Sequence, residues 1–135
     1  MNRRVLLDTL AKAGAAVALS PMLARAGAPA KTVLTQALPS VSLTDWAMTA
    51  VEVTYAPGEV DRPHRHPGFV FGYVLDGVLR FQVDGQPETT YRAGQMFYEA
   101  PGSVHRISAN ASATQSCRFL AMIFADKTAA LTAPA

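Results

Sequence analysis

The chain has 135 residues, of which 50% are hydrophobic and 16% charged, and its formal net charge is +2. This length supports one domain with a modest hydrophobic core. The first 26 residues contain four basic residues and one acidic residue, which leaves 8 basic and 9 acidic residues and a net charge of −1 for the remainder. A basic nucleic-acid surface is therefore not expected. Cys117 is the single cysteine, which excludes an intramolecular disulfide and paired-cysteine redox or zinc motifs.

The first 26 residues have the composition of an export signal. Arg3 and Arg4 form a positive start, and an uninterrupted apolar run follows at 13–19. Such a run is typical of a signal peptide and shorter than the roughly 18 apolar residues of a membrane span. Cleavage is expected after Ala26 or Ala28, where the A-x-A pattern of small residues occurs. The alternative is that this segment is an amphipathic helix kept in the mature protein. The paired arginines resemble a twin-arginine leader, which predicts a periplasmic or secreted protein.

The rest of the sequence contains short strand patterns separated by turn residues. Apolar and polar residues alternate at 50–55, and an aromatic and β-branched run at 69–75 ends in the Asp76–Gly77 turn. Further strands are predicted at 78–83, 89–92, 96–98, 104–108 and 118–124. With no long helical periodicity after residue 28, this pattern predicts one all-β barrel at 49–126, preceded by an arm or edge strand at 27–48 and followed by a tail at 127–135. The large apolar residues expected mainly to fill its core are Phe69, Phe71, Phe81, Met96, Phe97, Met122 and Phe124.

The three histidines of the chain lie in two stretches rich in glycine and proline. His64 and His66 are two residues apart, so on a strand both imidazoles project from one face. His105 lies in the second stretch. Neutral imidazole is a common ligand of transition metals, so the three side chains predict a metal site. The alternative is a solvated pair on a surface loop beside Arg62 and Arg65.

These two stretches resemble the two signatures of the cupin superfamily, G-x5-H-x-H-x3-E-x6-G and G-x5-P-x-G-x2-H-x3-N. The matching positions are Gly58, His64, His66 and Gly77 in the first signature and Gly94, Gly102 and His105 in the second. The resemblance implies a single jelly-roll β-barrel that holds one divalent transition metal, such as iron, zinc, nickel, manganese or copper, in its interior. It also implies a homodimer. Residues 32–46 offer an arm that is expected to pair with an exposed sheet edge of the partner, and the alternative is that this arm packs on its own barrel.

The chain departs from the signatures at three positions. Val70 replaces the acidic ligand, Ala100 replaces the proline, and Ala109 replaces the asparagine, with Asn110 one residue later. Val70 cannot bind a metal, although its even spacing from His66 predicts that it points inward. The resemblance then implies a site with three histidine ligands and an apolar wall, as in the minority of cupins that include iron dioxygenases of thiols or diketones.

Two functions remain open after these observations. One is a metal-dependent dioxygenase, for which Tyr73, Tyr98 and Glu99 are candidates for proton handling near the metal. Each of these three is equally well explained as a strand residue with an exposed polar tip. The other function is a non-catalytic cupin that captures or senses a small molecule or a metal. In both cases the expected partner is a small molecule, with no nucleic acid and no stable membrane insertion after signal removal.

Overall fold

The computed structural model describes residues 27–135, and the signal peptide predicted at 1–26 lies outside the described residues. The chain divides into two units, Met1–Thr32 and Val33–Ala135. All of the named strands lie in the second unit. Residues 27–135 contain no helix, and thus none long and apolar enough to cross a membrane.

Nine strands form two antiparallel sheets in the described residues. They are β1 (Trp46–Tyr55), β2 (His64–Arg65), β3 (Phe69–Asp76), β4 (Val78–Val83), β5 (Thr89–Arg92), β6 (Met96–Glu99), β7 (Val104–Asn110), β8 (Cys117–Asp126) and β9 (Ala133–Pro134). One sheet has the order β1-β8-β3-β6 and the other the order β5-β4-β7-β2-β9. The prediction of an all-β jelly-roll barrel is confirmed.

Each strand predicted from the sequence is present, and the differences are at the ends and in two short additions. β1 begins at Trp46 rather than at residue 50, because it pairs with β8 along its whole length, from Trp46 opposite Asp126 to Tyr55 opposite Cys117. β2 and β9 are two-residue strands that pair with each other. β9 lies within the segment assigned to the C-terminal tail, so part of this tail belongs to the barrel.

The core between the sheets is formed by alternate residues of the strands. In β8, for example, Phe119, Ala121 and Ile123 are buried and belong to the core. The complete buried cluster is Tyr55, Val70, Val74, Leu79, Phe81, Val83, Phe97, Cys117, Phe119, Ala121 and Ile123.

Several aromatic residues expected in this core lie on the other face of the β1-β8-β3-β6 sheet. Phe69 stacks on Phe124 with ring centroids 4.8 Å apart, and Phe71 contacts Tyr98 at 5.2 Å. Because Val70 points into the core, its neighbours Phe69 and Phe71 must project from the opposite face. The expectation of core filling is therefore correct for Phe81 and Phe97, which belong to the buried cluster between the sheets. Phe69 is also buried, at 3% exposure, but on the outer face of its sheet, where Phe71 and Phe124 are only partly buried.

β7 contains an irregularity between His105 and Asn110. Gln82 of β4 lies opposite Ile107, but the next residue, Val83, lies opposite His105, so Arg106 is an extra residue in the pairing. The Asn110 side chain is buried and donates hydrogen bonds to the carbonyl oxygens of Ala56 at 3.0 Å and Gln115 at 2.7 Å.

Candidate functional site

The three histidines predicted to form one site are brought together by the pairing of β2 with β7. His64 lies directly opposite His105 in this pair, and His66 follows β2 immediately. The ring centroid of His64 is 5.0 Å from that of His66 and 5.1 Å from that of His105. His66 is buried and the side chain of His64 is 16% exposed, so the alternative of a solvated pair on the surface does not describe these two residues.

Two of the imidazoles are oriented by backbone carbonyl groups. Nδ1 of His64 is 2.8 Å from the carbonyl oxygen of Arg62, and Nδ1 of His66 is 2.6 Å from that of Leu131. A carbonyl oxygen only accepts, so Nδ1 carries the proton in both rings and Nε2 keeps its lone pair. Burial lowers the pKa of His66, which favours the neutral ring. In both rings the hydrogen bond uses Nδ1, so Nε2 is the nitrogen available to a metal ion.

His105 and Glu99 form a buried pair deeper in the barrel. Nδ1 of His105 is 3.3 Å from Oε1 of Glu99. Burial lowers the pKa of His105 to about 3, helped by the neighbouring His64 and His66, and burial raises the pKa of Glu99 to about 8. Both shifts favour uncharged groups, so this is a contact of a neutral acid with a neutral imidazole although its distance is that of an ion pair. Nε2 of His105 and Oε1 of Glu99 are buried and have no hydrogen-bond partner among residues 27–135.

A cavity of about 710 Å³ contains all four of these side chains. Its opposite wall is apolar and is built from inward-facing residues of β1 and β8. These wall residues are Val51, Val53, Phe119, Ala121 and Ile123. A molecule in the cavity would contact imidazoles on one side and aliphatic or aromatic carbon on the other.

A second polar group lies in the same cavity and was missed in the sequence. The hydroxyl group of Tyr55 is 2.8 Å from Oγ of Ser108 and donates to Oδ2 of Asp61 at 3.3 Å. Burial raises the pKa of Tyr55, so its hydroxyl group stays protonated. The alternation of β7 could not have identified Ser108, because the extra residue Arg106 brings Ser108 and His105 to the same face.

The C-terminal segment closes one side of the cavity. Residues 131–134 line it, and Ala133 and Pro134 pair with Arg65 and His64. Arg65 also donates from Nε to the carbonyl oxygen of Pro134 at 3.1 Å. No sequence pattern indicated that residues 131–134 belong to the site, because their contacts are made by backbone groups, which every residue type has.

Of the three residues predicted as candidates for proton handling, only Glu99 reaches the cavity. Val70 is completely buried in the core and lies opposite Glu99 in the β3–β6 pair. Side chains alternate between the two faces of a strand. Tyr73 is three residues from Val70 in β3 and Tyr98 is next to Glu99 in β6, so both tyrosines project from the outer face of the sheet. Neither tyrosine lines the cavity that contains the histidines.

A protein-family model described as "Cupin domain" matches residues 51–123, which is more than half of the chain. The chain belongs to the cupin family. The matched residues include the two histidine-bearing stretches and most of both sheets. Among curated proteins, none matches the chain.

Solved structures similar to this cupin share its fold at low sequence identity. An uncharacterized conserved protein with a double-stranded β-helix domain from Klebsiella pneumoniae is 22% identical, with a TM-score of 0.54 over 65% of this chain and 76% of that one. The DMSP lyase DddQ from Ruegeria pomeroyi is 17% identical, with a TM-score of 0.56 over 64% of this chain and 42% of the lyase. A variant of Bacillus subtilis oxalate decarboxylase is 24% identical, with a TM-score of 0.54 over 61% and 22%. The match spans less than half of each of these two enzymes.

The donor groups of the cupin do not form a closed metal site as they stand. In the part of the chain that the structure describes, no three or more His, Cys, Asp or Glu side chains are arranged so that they could hold a metal ion. The imidazoles nevertheless have the chemistry of metal ligands, because the pKa values of His66 and His105 are lowered by burial and the hydrogen bonds of His64 and His66 use Nδ1 and not Nε2. Binding would require the rings to turn toward a common point.

Proposed function

We propose that this chain is an exported cupin that binds one divalent transition metal through His64, His66 and His105. We further propose that it is an Fe(II)-type dioxygenase of a small organic acid, diketone or phenol. The observation that carries the proposal is the convergence of the three imidazoles on one cavity, with the buried Nε2 of His105 lacking any partner in residues 27–135. A buried polar atom without a partner costs roughly 1–3 kcal/mol, and a bound ion would remove this cost.

The hydrogen bonds of the imidazoles support metal binding through Nε2. A histidine that binds a metal usually donates its other ring N–H to a carbonyl or carboxylate oxygen, which fixes the ring orientation. His64 and His66 already have this arrangement through Arg62 and Leu131. We expect the same nitrogen, Nε2, to be the donor from all three rings.

The charge and shape of the cavity favour a particular class of ligand. Three neutral imidazoles would leave the full 2+ charge of the ion uncompensated, which favours an anionic ligand with two donor oxygens. Arg62 and Asp61 both line the cavity and their charges offset each other, so the ion would dominate the charge of the site; the wall around Phe119 and Ile123 favours an apolar body. When bound, the metal would supply Lewis acidity and redox chemistry with oxygen. The chain itself would hold the ligand between this wall and the imidazoles, with the Tyr55 hydroxyl group as a polar contact.

Metal analysis followed by oxygen uptake tests the proposal. The purified protein is expected to contain close to one transition-metal ion per chain and to consume oxygen with a β-diketone or a phenolic acid. His105→Ala should remove both properties, whereas Tyr73→Phe, on the outer face, should keep both. A native protein that contains no metal and binds none on titration would refute the metal site.

A non-catalytic binding protein is the second candidate. Val70 in place of the acidic ligand supports it, because this core residue offers no general base or donor to the cavity. Metal binding without oxygen uptake, together with tight binding of a chelating acid, would favour this candidate over the dioxygenase.

A further inference from the structure

A second cavity, of about 550 Å³, lies next to the one that contains the histidines. It is found where the two sheets come together at one side of the barrel, because β5 and β6 line it and each is the edge strand of its sheet. Residues outside these two strands that also line it include Leu34, Asp84, Gln86 and Pro87. Among residues 27–135, Phe97 of β6 is the one residue that lines both cavities.

The ring of Phe97 packs against aromatic residues of both cavities. Its centroid is 5.9 Å from that of Phe119, which lines the histidine-bearing cavity, and 5.7 Å from that of Tyr91, which lines the second one. Phe81, at 4.6 Å, also belongs to the second cavity, and its ring is in turn 4.5 Å from that of His105. Because Phe97 is only 2% exposed and has neighbours on both sides, its ring forms a wall between the two cavities.

The place of this ring depends on a glycine in the neighbouring strand. Gly72 of β3 lies directly opposite Phe97 in the pairing of β3 with β6. A Cβ atom at position 72 would overlap the ring of Phe97, so this ring occupies the space that any other side chain would need. A glycine inside a strand often marks a close approach of this kind. The sequence of β3 therefore leaves room for the Phe97 ring against its backbone.

We propose that Phe97 is a specificity-determining residue that limits how far a ligand can extend from the imidazoles toward the β5–β6 side of the barrel. With the ring in place, an unbranched organic acid whose carboxylate lies at the imidazoles must end its chain before Phe97. Without the ring, the chain has room to continue toward Phe81 and Tyr91. This inference rests on the proposed function in one respect, that a small organic acid occupies the histidine-bearing cavity, and it needs no metal ion.

Phe97→Ala tests this role, and Phe97→Leu replaces it if the alanine variant does not fold. Val74→Ala is the matched control, because Val74 is completely buried in the same core but lines neither cavity. Isothermal titration calorimetry measures the binding of straight-chain carboxylic acids from butanoate to dodecanoate. In the wild type, affinity should rise by about fourfold per methylene group and stop rising once the chain reaches Phe97. In Phe97→Ala the rise should continue to longer chains, whereas Val74→Ala should stop where the wild type does.

A second measurement needs no ligand. Crystal structures should show two separate cavities in the wild type and one continuous cavity, from the histidines to Tyr91, in Phe97→Ala. This is expected because a protein core relaxes only partly around a truncated side chain.

The inference and the proposed function fail in different ways. The same limit of chain length in the wild type and in Phe97→Ala, or cavities that stay separate in this variant, would overturn the role of Phe97. If neither the wild type nor the variants bind any of the acids, the ligand class of the proposed function is refuted. The crystal structures then decide whether Phe97 separates the two cavities.

Discussion

His64 and His105 lie directly opposite each other in the antiparallel pair of β2 and β7. One residue comes from a turn-rich loop and the other from a longer strand, and only two pairs of residues define this pairing. The same short strand β2 also pairs with β9, so His64 is held from both sides. The geometry of the candidate metal site is therefore set mainly by backbone hydrogen bonds around a two-residue strand.

Val70→Glu should strengthen metal binding and weaken activity. A carboxylate on this inward-facing residue would supply a fourth donor and neutralise one charge of the ion, and it would occupy a position that a chelating substrate needs. Zinc titration and oxygen uptake measure the two effects. A passive metal-binding protein would show only the tighter binding.

The same substitution should destabilise the protein when metal is absent. Residue 70 is fully buried and lies opposite Glu99, so two carboxyl groups would face each other in a dry interior. We expect chelator-treated Val70→Glu to unfold at lower temperature than the wild type, and Glu99→Gln to restore part of the loss. Equal melting temperatures with and without Glu99 would contradict this coupling.

The stability of the metal-free protein should fall between about pH 6.5 and pH 8. The pKa of Glu99 is raised from 4.5 to about 8, so above pH 4.5 the unfolded chain loses this proton before the folded protein does, and stability decreases with pH. The pKa of His105 is lowered from 6.5 to about 3, so its contribution to the free energy of unfolding rises with pH up to about 6.5. Between pH 4.5 and 6.5 this rise offsets the fall that Glu99 causes. Well above pH 6.5 only the Glu99 effect remains, at up to about 1.4 kcal/mol per pH unit.

Urea unfolding of chelator-treated protein at pH 6.5 and pH 8 measures this difference, which should be roughly 1 kcal/mol because Glu99 is half ionised at pH 8 and the unfolded His105 still loses protons just above pH 6.5. Glu99→Gln removes the titrating group at constant size and should abolish it. A wild-type free energy of unfolding that rises between these two pH values would contradict the raised pKa.

We propose that the mature protein is a homodimer that uses residues 32–46 of its N-terminal arm. Leu38 and Leu43 in this arm are 66% and 55% exposed, and Met48 near the start of β1 is 51% exposed. Large apolar side chains exposed along one short stretch of sequence would be covered in such an interface. Light scattering on protein that begins at Gly27 should give twice the chain mass, and Leu38→Ser with Leu43→Ser should reduce it. A monomer at micromolar concentration would refute the dimer.

We also propose export by the twin-arginine route, which moves folded proteins and would allow the metal to be inserted in the cytoplasm. Changing Arg3 and Arg4 together to lysine should keep the precursor in the cytoplasm, as measured by cell fractionation. Full export of the lysine variant would refute this route and leave export by another route open.

The strands and the histidines were predictable from the sequence because each has a local signal. Turn dipeptides such as Asp76–Gly77 mark the strand ends, and the spacing of His64, His66 and His105 between glycines indicates one site. The run at 69–75 gives no signal of its own for which residues face inward, because it is hydrophobic or aromatic at nearly every position; the inward face of Val70 was predictable only from its even spacing to His66. Glu99 was identified only as one of three candidates, because its relation to Val70 depends on the register of β3 with β6.

The hydrogen bond from His66 to the carbonyl oxygen of Leu131 couples the candidate metal site to the end of the described chain. By thermodynamic reciprocity, any ion that favours this orientation of His66 also favours the docked state of residues 131–134, by the same free energy. Carboxypeptidase digestion should therefore be slower for metal-loaded protein. For the same reason, an affinity tag fused after Ala135 would disturb the segment whose Leu131 carbonyl group orients His66. A tag at the mature N-terminus is therefore the better choice for measuring metal affinity.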